Sequence, residues 1–228
     1  QSLLFAGTES NSVNGPKALI ESLQAEMAKI MSEAKPGNAA AAQATVKKKF
    51  RKHFDLGTFA QLSFRKYYKK LSDNGRKRYH ETLQELVEAT YLKRLKPGAD
   101  YWVKSRGEQL IDTRAKISIT VGSKDSEFDV DYLLQKSEEG QWRIYDIWID
   151  DVSMVKTYRS QFYKVYKKHG FSGSDGLLGH MQRRQLDQDT GCKCRTTCAN
   201  GPASCSGKED ANSAKCWLKC DCKANFPT

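Results

Sequence analysis

Residues 140–162 read Gly-Gln-Trp-Arg-Ile-Tyr-Asp-Ile-Trp-Ile-Asp-Asp-Val-Ser-Met-Val-Lys-Thr-Tyr-Arg-Ser-Gln-Phe. The first half predicts a strand. Period-two counting puts Trp142, Ile144, Asp146 and Trp148 on one side and Arg143, Tyr145, Ile147 and Ile149 on the other. Both sides are rich in apolar and aromatic groups, which predicts a strand covered on both faces. Asp150-Asp151 ends it. Ser153 then stands where a helix cap belongs, and Val155, Tyr158, Phe162, Val165, Tyr166 and His169 recur at helical spacing. A central strand that turns directly into an amphipathic helix can form two walls of one cavity.

Upstream of this stretch the alternation continues. Residues 114–121 place Ala115, Ile117, Ile119 and Val121 opposite Lys116, Ser118 and Thr120. Gly122-Ser123-Lys124-Asp125 forms a turn signal. Phe128, Val130, Tyr132 and Leu134 then alternate with Asp129 and Asp131, while Leu133 departs from the pattern. Glu138-Glu139-Gly140 is the next turn, and a further strand is expected within 101–109. Short turns between consecutive strands predict an antiparallel meander.

Helices are expected on both sides of it. Pro16 suits a helix start, Leu19/Ile20, Leu23, Met27 and Ile30/Met31 mark one face, and Lys35-Pro36-Gly37 stops it. The alanine-rich run 39–44 leads into Val46, Phe50 and Phe54. A third helix opens near Asp55, with Phe59, Leu62 and Phe64 inward. Ser72-Asp73 can cap a fourth, whose apolar face is Tyr79, Leu83, Leu86/Val87, Thr90/Tyr91 and Leu95 before Pro97-Gly98. Beyond Gly170, Ser174-Asp175 starts a short last helix carrying Leu177, Leu178 and Met181. The fold class is α+β: several N-terminal helices and an antiparallel twisted sheet packed by helices.

The chain has 228 residues, a hydrophobic content of 39% and a mean hydropathy of −0.69. These values suit one sizeable core with a small appendage. No apolar run approaches the roughly 20 residues that span a bilayer. Leu3-Leu4-Phe5-Ala6-Gly7 is too short for a secretory leader and lacks a basic start, so an exported protein is expected here in its mature form. A net charge of +11 favours acidic partners or is simply a solvated basic surface. Zinc-finger spacing, ribonucleoprotein aromatics and a basic zipper are all missing, so no nucleic-acid partner is expected.

Enzyme signatures are sparse. There is no His-Glu-x-x-His, no Gly-x-Ser-x-Gly, no phosphate loop and no dinucleotide fingerprint. His53, His80, His169 and His180 are far apart in sequence. Asp146 is the one acid of interest, and it admits two readings. As a buried pocket acid it resembles the general base of a ketosteroid-type isomerase. As a structural residue it accepts hydrogen bonds from backbone or from Arg159 and fixes the strand-to-helix corner.

Trp-x-Ile-Tyr-Asp-Ile-x-Ile-x-x-Val-Ser-Met-Val from Trp142, followed by Tyr158-Arg159-x-Gln161-Phe162, resembles the MlaC (toluene-tolerance) family. Phe54-Asp55, Tyr67-Tyr68-Lys69 and Thr90-Tyr91-x-x-x-Leu95 fit it too. The small glycine-bearing step usual between the first two appears here as Leu62-Ser63, with altered spacing. The resemblance runs from about residue 17 to about 185. It implies an NTF2-like or cystatin-like sheet packed by helices around an apolar lipid cavity. It also implies a periplasmic carrier, not an enzyme, that binds phospholipid acyl chains and needs no cofactor beyond the bound lipid.

The partners so implied are phospholipid, an inner-membrane ABC transporter with a substrate-binding ring, and an outer-membrane lipoprotein–porin complex. The carrier itself is expected to be a monomer that serves outer-membrane lipid asymmetry. A sterol- or hopanoid-type ligand could use the same walls. The residues expected to line the cavity are Tyr91, Trp102, Ile117, Ile119, Phe128, Tyr132, Leu134, Trp142, Ile144, Trp148, Val155, Tyr158 and Phe162.

The last stretch departs from the family. Cys192, Cys194, Cys198, Cys205, Cys216, Cys220 and Cys222 all fall in it, and the first 191 residues contain none. A segment so poor in apolar residues needs staples. Three disulfides with one cysteine left over is one reading, and a thiolate metal site is the other. The expected organisation is a flexible N-terminus (1–15), a lipid-binding domain (16–185) and a cysteine-rich extension (186–228).

Overall fold

Apolar residues three and four apart build the first helix, α1 (Pro16–Ser32), which buries Ile20, Leu23, Gln24, Met27 and Met31. The computed structural model describes residues 15–92, 95–124, 126–190, 193–198 and 216–221. Three helices follow: α2 (Ala39–His53), α3 (Leu56–Tyr68) and α4 (Asp73–Leu92). Asp55 caps α3, its Oδ1 accepting from the Thr58 amide at 2.9 Å.

A sheet of five strands comes next: β1 (Trp102–Ile111), β2 (Arg114–Gly122), β3 (Glu127–Lys136), β4 (Trp142–Ile149) and the short β5 (Val152–Ser153). They pair antiparallel in chain order, as a meander. Asp150 and Asp151 both adopt left-handed backbone, at φ 47° and 63°. This gives β4–β5 a tight two-residue turn of the kind that Asp tolerates. Helix α5 (Met154–His169) leaves directly from β5 and α6 (Leu177–Thr190) follows. Gly170, at φ 74°, ends α5 with its amide bonded to Tyr166 O. Helix α6 runs through residue 185, where the sequence placed a boundary, and is longer than its apolar residues predicted.

The helices share one core with one face of the sheet. Ala115, Ile117, Ile119 and Val121 of β2 and Val130, Tyr132 and Leu134 of β3 enter it. Strand β4 joins them with a fault. Leu134 faces Ile144 but Leu133 faces Asp146, so Tyr145 is an extra, unpaired residue. This bulge shifts the phase. Ile144 and Ile147 are both fully buried and Ile149 packs on the same core, whereas Asp146 and Trp148 turn to the opposite face. Period-two counting had put Ile147 and Ile149 opposite Ile144. No residue of β4 is exposed, and on the second face Asp146 is buried and Trp148 part-buried.

An aromatic file crosses the core. Tyr91 stacks on Phe50 at 4.9 Å, Phe50 on Phe54 at 4.7 Å, and Phe59 bridges from Phe54 to Tyr158 at 5.3 and 5.9 Å. Tyr158 stacks on Phe162, which meets Tyr79, which meets Phe64. Residues so linked tie α2, α3, α4 and α5 into one block. His169, expected on the buried face of α5, is exposed.

Strands β6 (Lys193–Cys198) and β7 (Cys216–Asp221) pair antiparallel as a separate two-stranded sheet. Cys194 lies opposite Cys220 and Cys198 opposite Cys216 in its register. Cys192, Cys205 and Cys222, like most of the N-terminus expected to be flexible, lie outside the described residues. Among the described residues no helix is long and apolar enough to cross a membrane.

Candidate lipid-binding site

Between α1, α4 and the sheet lies an apolar cavity. It is lined by Gln24 of α1, Tyr91 of α4, Leu95 beyond that helix, Val121 of β2, Phe128, Val130 and Tyr132 of β3, and Ile149 of β4. Register explains the grouping, since Val121 pairs with Phe128 and Val130 with Ile149. These residues mark the end of the sheet where the β2–β3 turn and the end of β4 meet. Phe128 is only half buried and Ile149 partly so, and they form the outer edge. The space enclosed is about 10 Å³, enough for one water. Drug-sized ligands occupy about 300–1,000 Å³, so an acyl chain enters only if the walls part.

The polar content of this cavity is one cluster. Gln24 is 4% exposed. Its Nε2 donates to Tyr132 Oη at 2.7 Å and to Tyr91 Oη at 3.2 Å, and the two hydroxyls are 3.4 Å apart. Burial raises the pKa of both phenols. For Tyr91, hydrogen bonds with Tyr132 and Gln24 oppose the rise in part. Both therefore remain neutral hydroxyls at physiological pH. Among the described residues no charged side chain lines the cavity.

On the other side of α1 an open groove of about 380 Å³ runs along Ala25, Ala28, Lys29 and Ser32, against Asp100, Tyr101 and Val103. Helix α1 contributes to both, with Ala25 lining the groove and Gln24 the cavity, and Val103 and its register partner Val121 are divided in the same way. The helix meets the core partly through Met27 and Met31, both almost wholly buried. Methionine is the side chain that repacks most readily.

Of the residues that sequence reasoning named for the cavity, Tyr91, Phe128 and Tyr132 line it. Ile117, Ile119, Leu134, Ile144, Val155, Tyr158 and Phe162 are buried in the continuous core beyond it. Trp142 packs on the core with Lys136 over its ring at 5.2 Å. Two tryptophans lie elsewhere. Trp102 is 44% exposed at the sheet edge. Its ring covers Gly122, where a Cβ would come within 2.1 Å of it. Trp148 is turned outward by the β4 bulge, between Lys116 and Lys156 at 5.4 and 5.3 Å. Gln24, Leu95, Val121, Val130 and Ile149 were not named for the cavity. A polar residue inside the stripe Ile20-Leu23-Met27-Met31 was the available signal for Gln24.

Asp146 is 5% exposed and fully engaged. Its Oδ1 accepts from the Ile147 and Val155 amides at 2.9 and 3.0 Å. Its Oδ2 accepts from Trp148 Nε1 and Ser153 Oγ at 2.9 and 2.6 Å. Ser153 Oγ in turn accepts from the Lys156 amide and caps α5. Arg159 is not among the donors and instead donates to the Leu62 carbonyl at 2.8 Å. A carboxylate with both oxygens so committed fixes the strand-to-helix corner, and it does not line the cavity. The histidines are dispersed, and no group of described His, Cys, Asp or Glu side chains is placed to hold a metal.

A meander backed by helices with an apolar cavity between them is the architecture of a small-molecule-binding module. Residues 20–183 match the MlaC protein family, and the chain belongs to that family. Its fold is shared with a phospholipid-binding protein from Ralstonia solanacearum, solved in complex with a phospholipid. The TM-score is 0.66 at 20% identity, over 76% of this chain and 98% of that one. No curated protein sequence matches the chain.

Proposed function

We propose that this protein is a periplasmic phospholipid carrier. The observation that carries the reading is the apolar cavity between α1, α4 and the sheet, on a fold shared with a protein solved with phospholipid bound. Each buried methylene is worth about 0.8 kcal/mol, so one long acyl chain is held in a bilayer by on the order of 10 kcal/mol. A carrier moves such a chain through water only by giving it comparable apolar surroundings. Displacing α1 joins the cavity to the groove beside Ala25 and Ala28 and opens that surface. Ile20, Leu23, Met27 and Met31 then face the chain instead of the core.

The carrier exchanges lipid with an inner-membrane ABC transporter bearing a substrate-binding ring and with an outer-membrane lipoprotein–porin complex. Family membership supports these partners. The chemistry is binding and release, a reading supported by family membership and by a described lining that is apolar apart from Gln24 and two neutral phenols. Native mass spectrometry of delipidated protein after incubation with phospholipid vesicles tests the reading. Uptake of about one lipid per chain is expected, and protein that stays empty and moves no labelled lipid between vesicles overturns it.

A further inference from the structure

Gln24, Tyr91 and Tyr132 hold more donor hydrogens than they can use among themselves. A carboxamide supplies two N–H groups and each phenol one O–H. The cluster has three internal contacts, one for each pair of residues. Each contact consumes one hydrogen, so at least one donor has no acceptor inside the cluster. Turning the amide end for end changes which atom carries the spare hydrogen and not the count. The other lining residues, Leu95, Val121, Phe128, Val130 and Ile149, provide no side-chain acceptor.

Among the described residues the lining is thus apolar with one spare donor, and none of them is a cation that would balance an anion. Burying a phosphate or a carboxylate there is strongly unfavourable. A neutral acceptor joined to hydrocarbon fits instead. We infer that the Gln24–Tyr91–Tyr132 cluster binds the ester carbonyl at the head of an acyl chain, and so selects ester-linked over ether-linked lipids. The inference rests on the carrier reading and adds to it the linkage chemistry that the protein recognises. The charged headgroup stays outside, beyond Phe128 and Ile149. The carbonyl takes the place that the cavity allots to one water.

The test offers full-length delipidated protein vesicles containing equal amounts of diacyl phosphatidylglycerol and the dialkyl ether of the same headgroup and chain length. Native mass spectrometry reads the ratio bound. The wild type is expected to favour the diester about fivefold, the worth of one hydrogen bond. A variant carrying Gln24→Leu, Tyr91→Phe and Tyr132→Phe removes every donor together and leaves none orphaned, so it is expected to fold and to take both lipids equally.

A second readout is the infrared stretch of a 13C-labelled ester carbonyl in bound lipid. It should lie at lower frequency in the wild type than in free lipid dissolved in hydrocarbon. Equal uptake of diester and diether by the wild type, a preference that survives in the triple variant, or an unshifted carbonyl each overturns the inference while leaving the carrier reading intact. Uptake of neither lipid overturns both.

Discussion

Ser153 Oγ lies 2.6 Å from Asp146 Oδ2 and 3.0 Å from the Lys156 amide. One hydroxyl thus joins the acid of β4 to the first turn of α5. It donates to the carboxylate and accepts from the helix. The angle between strand and helix is set by this relay and by the Val155 amide on the same carboxylate.

Asp146→Asn keeps the shape but puts an NH2 where a carboxylate oxygen accepts two donors. Leaving such donors unmet costs about 3 kcal/mol, or about 6–12 °C in Tm for a chain of this size. Calorimetry should show that loss. Lipid bound per folded molecule should be unchanged, whereas an enzyme built on Asp146 would lose turnover.

Phe64 is fully buried and meets the rings of Tyr67, Tyr79, Tyr163, Tyr166 and Phe171. Phe64→Ala should cost about 3–5 kcal/mol. In urea the midpoint should fall with the slope unchanged, because the same surface is exposed on unfolding.

His53, His80 and His180 all have lowered pKa values. Burial is the main cause, reinforced by Lys52 and Arg143 at His53 and by Arg184 and Arg183 at His180. Below the ordinary imidazole value of about 6.5 the unfolded chain binds protons that the folded chain refuses. Stability should therefore fall as the pH drops from about 7 toward 5, before most carboxylates titrate. His180→Gln should flatten part of that slope in denaturation curves taken across the range.

Register pairs Cys194 with Cys220 and Cys198 with Cys216. Directly opposed residues in an antiparallel pair have Cα atoms about 4.5–5.5 Å apart, within the range a disulfide spans. The cysteine spacing is also mirror-symmetric. Cys192-x-Cys194-x3-Cys198 is answered by Cys216-x3-Cys220-x-Cys222, and Cys205 has no counterpart. Peptide mapping of oxidised protein should recover the 194–220 and 198–216 links, with 192–222 following from the symmetry and Cys205 the odd thiol. Links between other positions, or a stoichiometric metal, would favour the alternative reading.

Much of the fold was legible because it rests on two short periods. The stripes of α1 to α5 and the alternation of β2 and β3 follow from side-chain spacing alone. What failed was phase. One unpaired residue at Tyr145 reverses every position after it, and counting by twos cannot register an insertion. The site was harder. Tyr91, Phe128 and Tyr132 were found as aromatics among other aromatics, but nothing in their type separates cavity wall from solid core. Trp102 and Trp148 were drawn in by size, though the edge and the bulge turn both outward. Gln24 passed unnoticed because the helix around it reads as apolar.

The bulge has a bearing on how this strand can change length. Deleting Tyr145 would close the ladder and leave Ile144, Ile147 and Ile149 on the face they now share. Deleting Asp146 would restore the same alternation but remove the acid that holds the corner to α5, and deleting Ile147 or Trp148 would leave the bulge in place and throw Ile149 out of phase. Position 145 is therefore the strand's expansion joint, the place where β4 can lose a residue and keep both its side toward the helices and its corner.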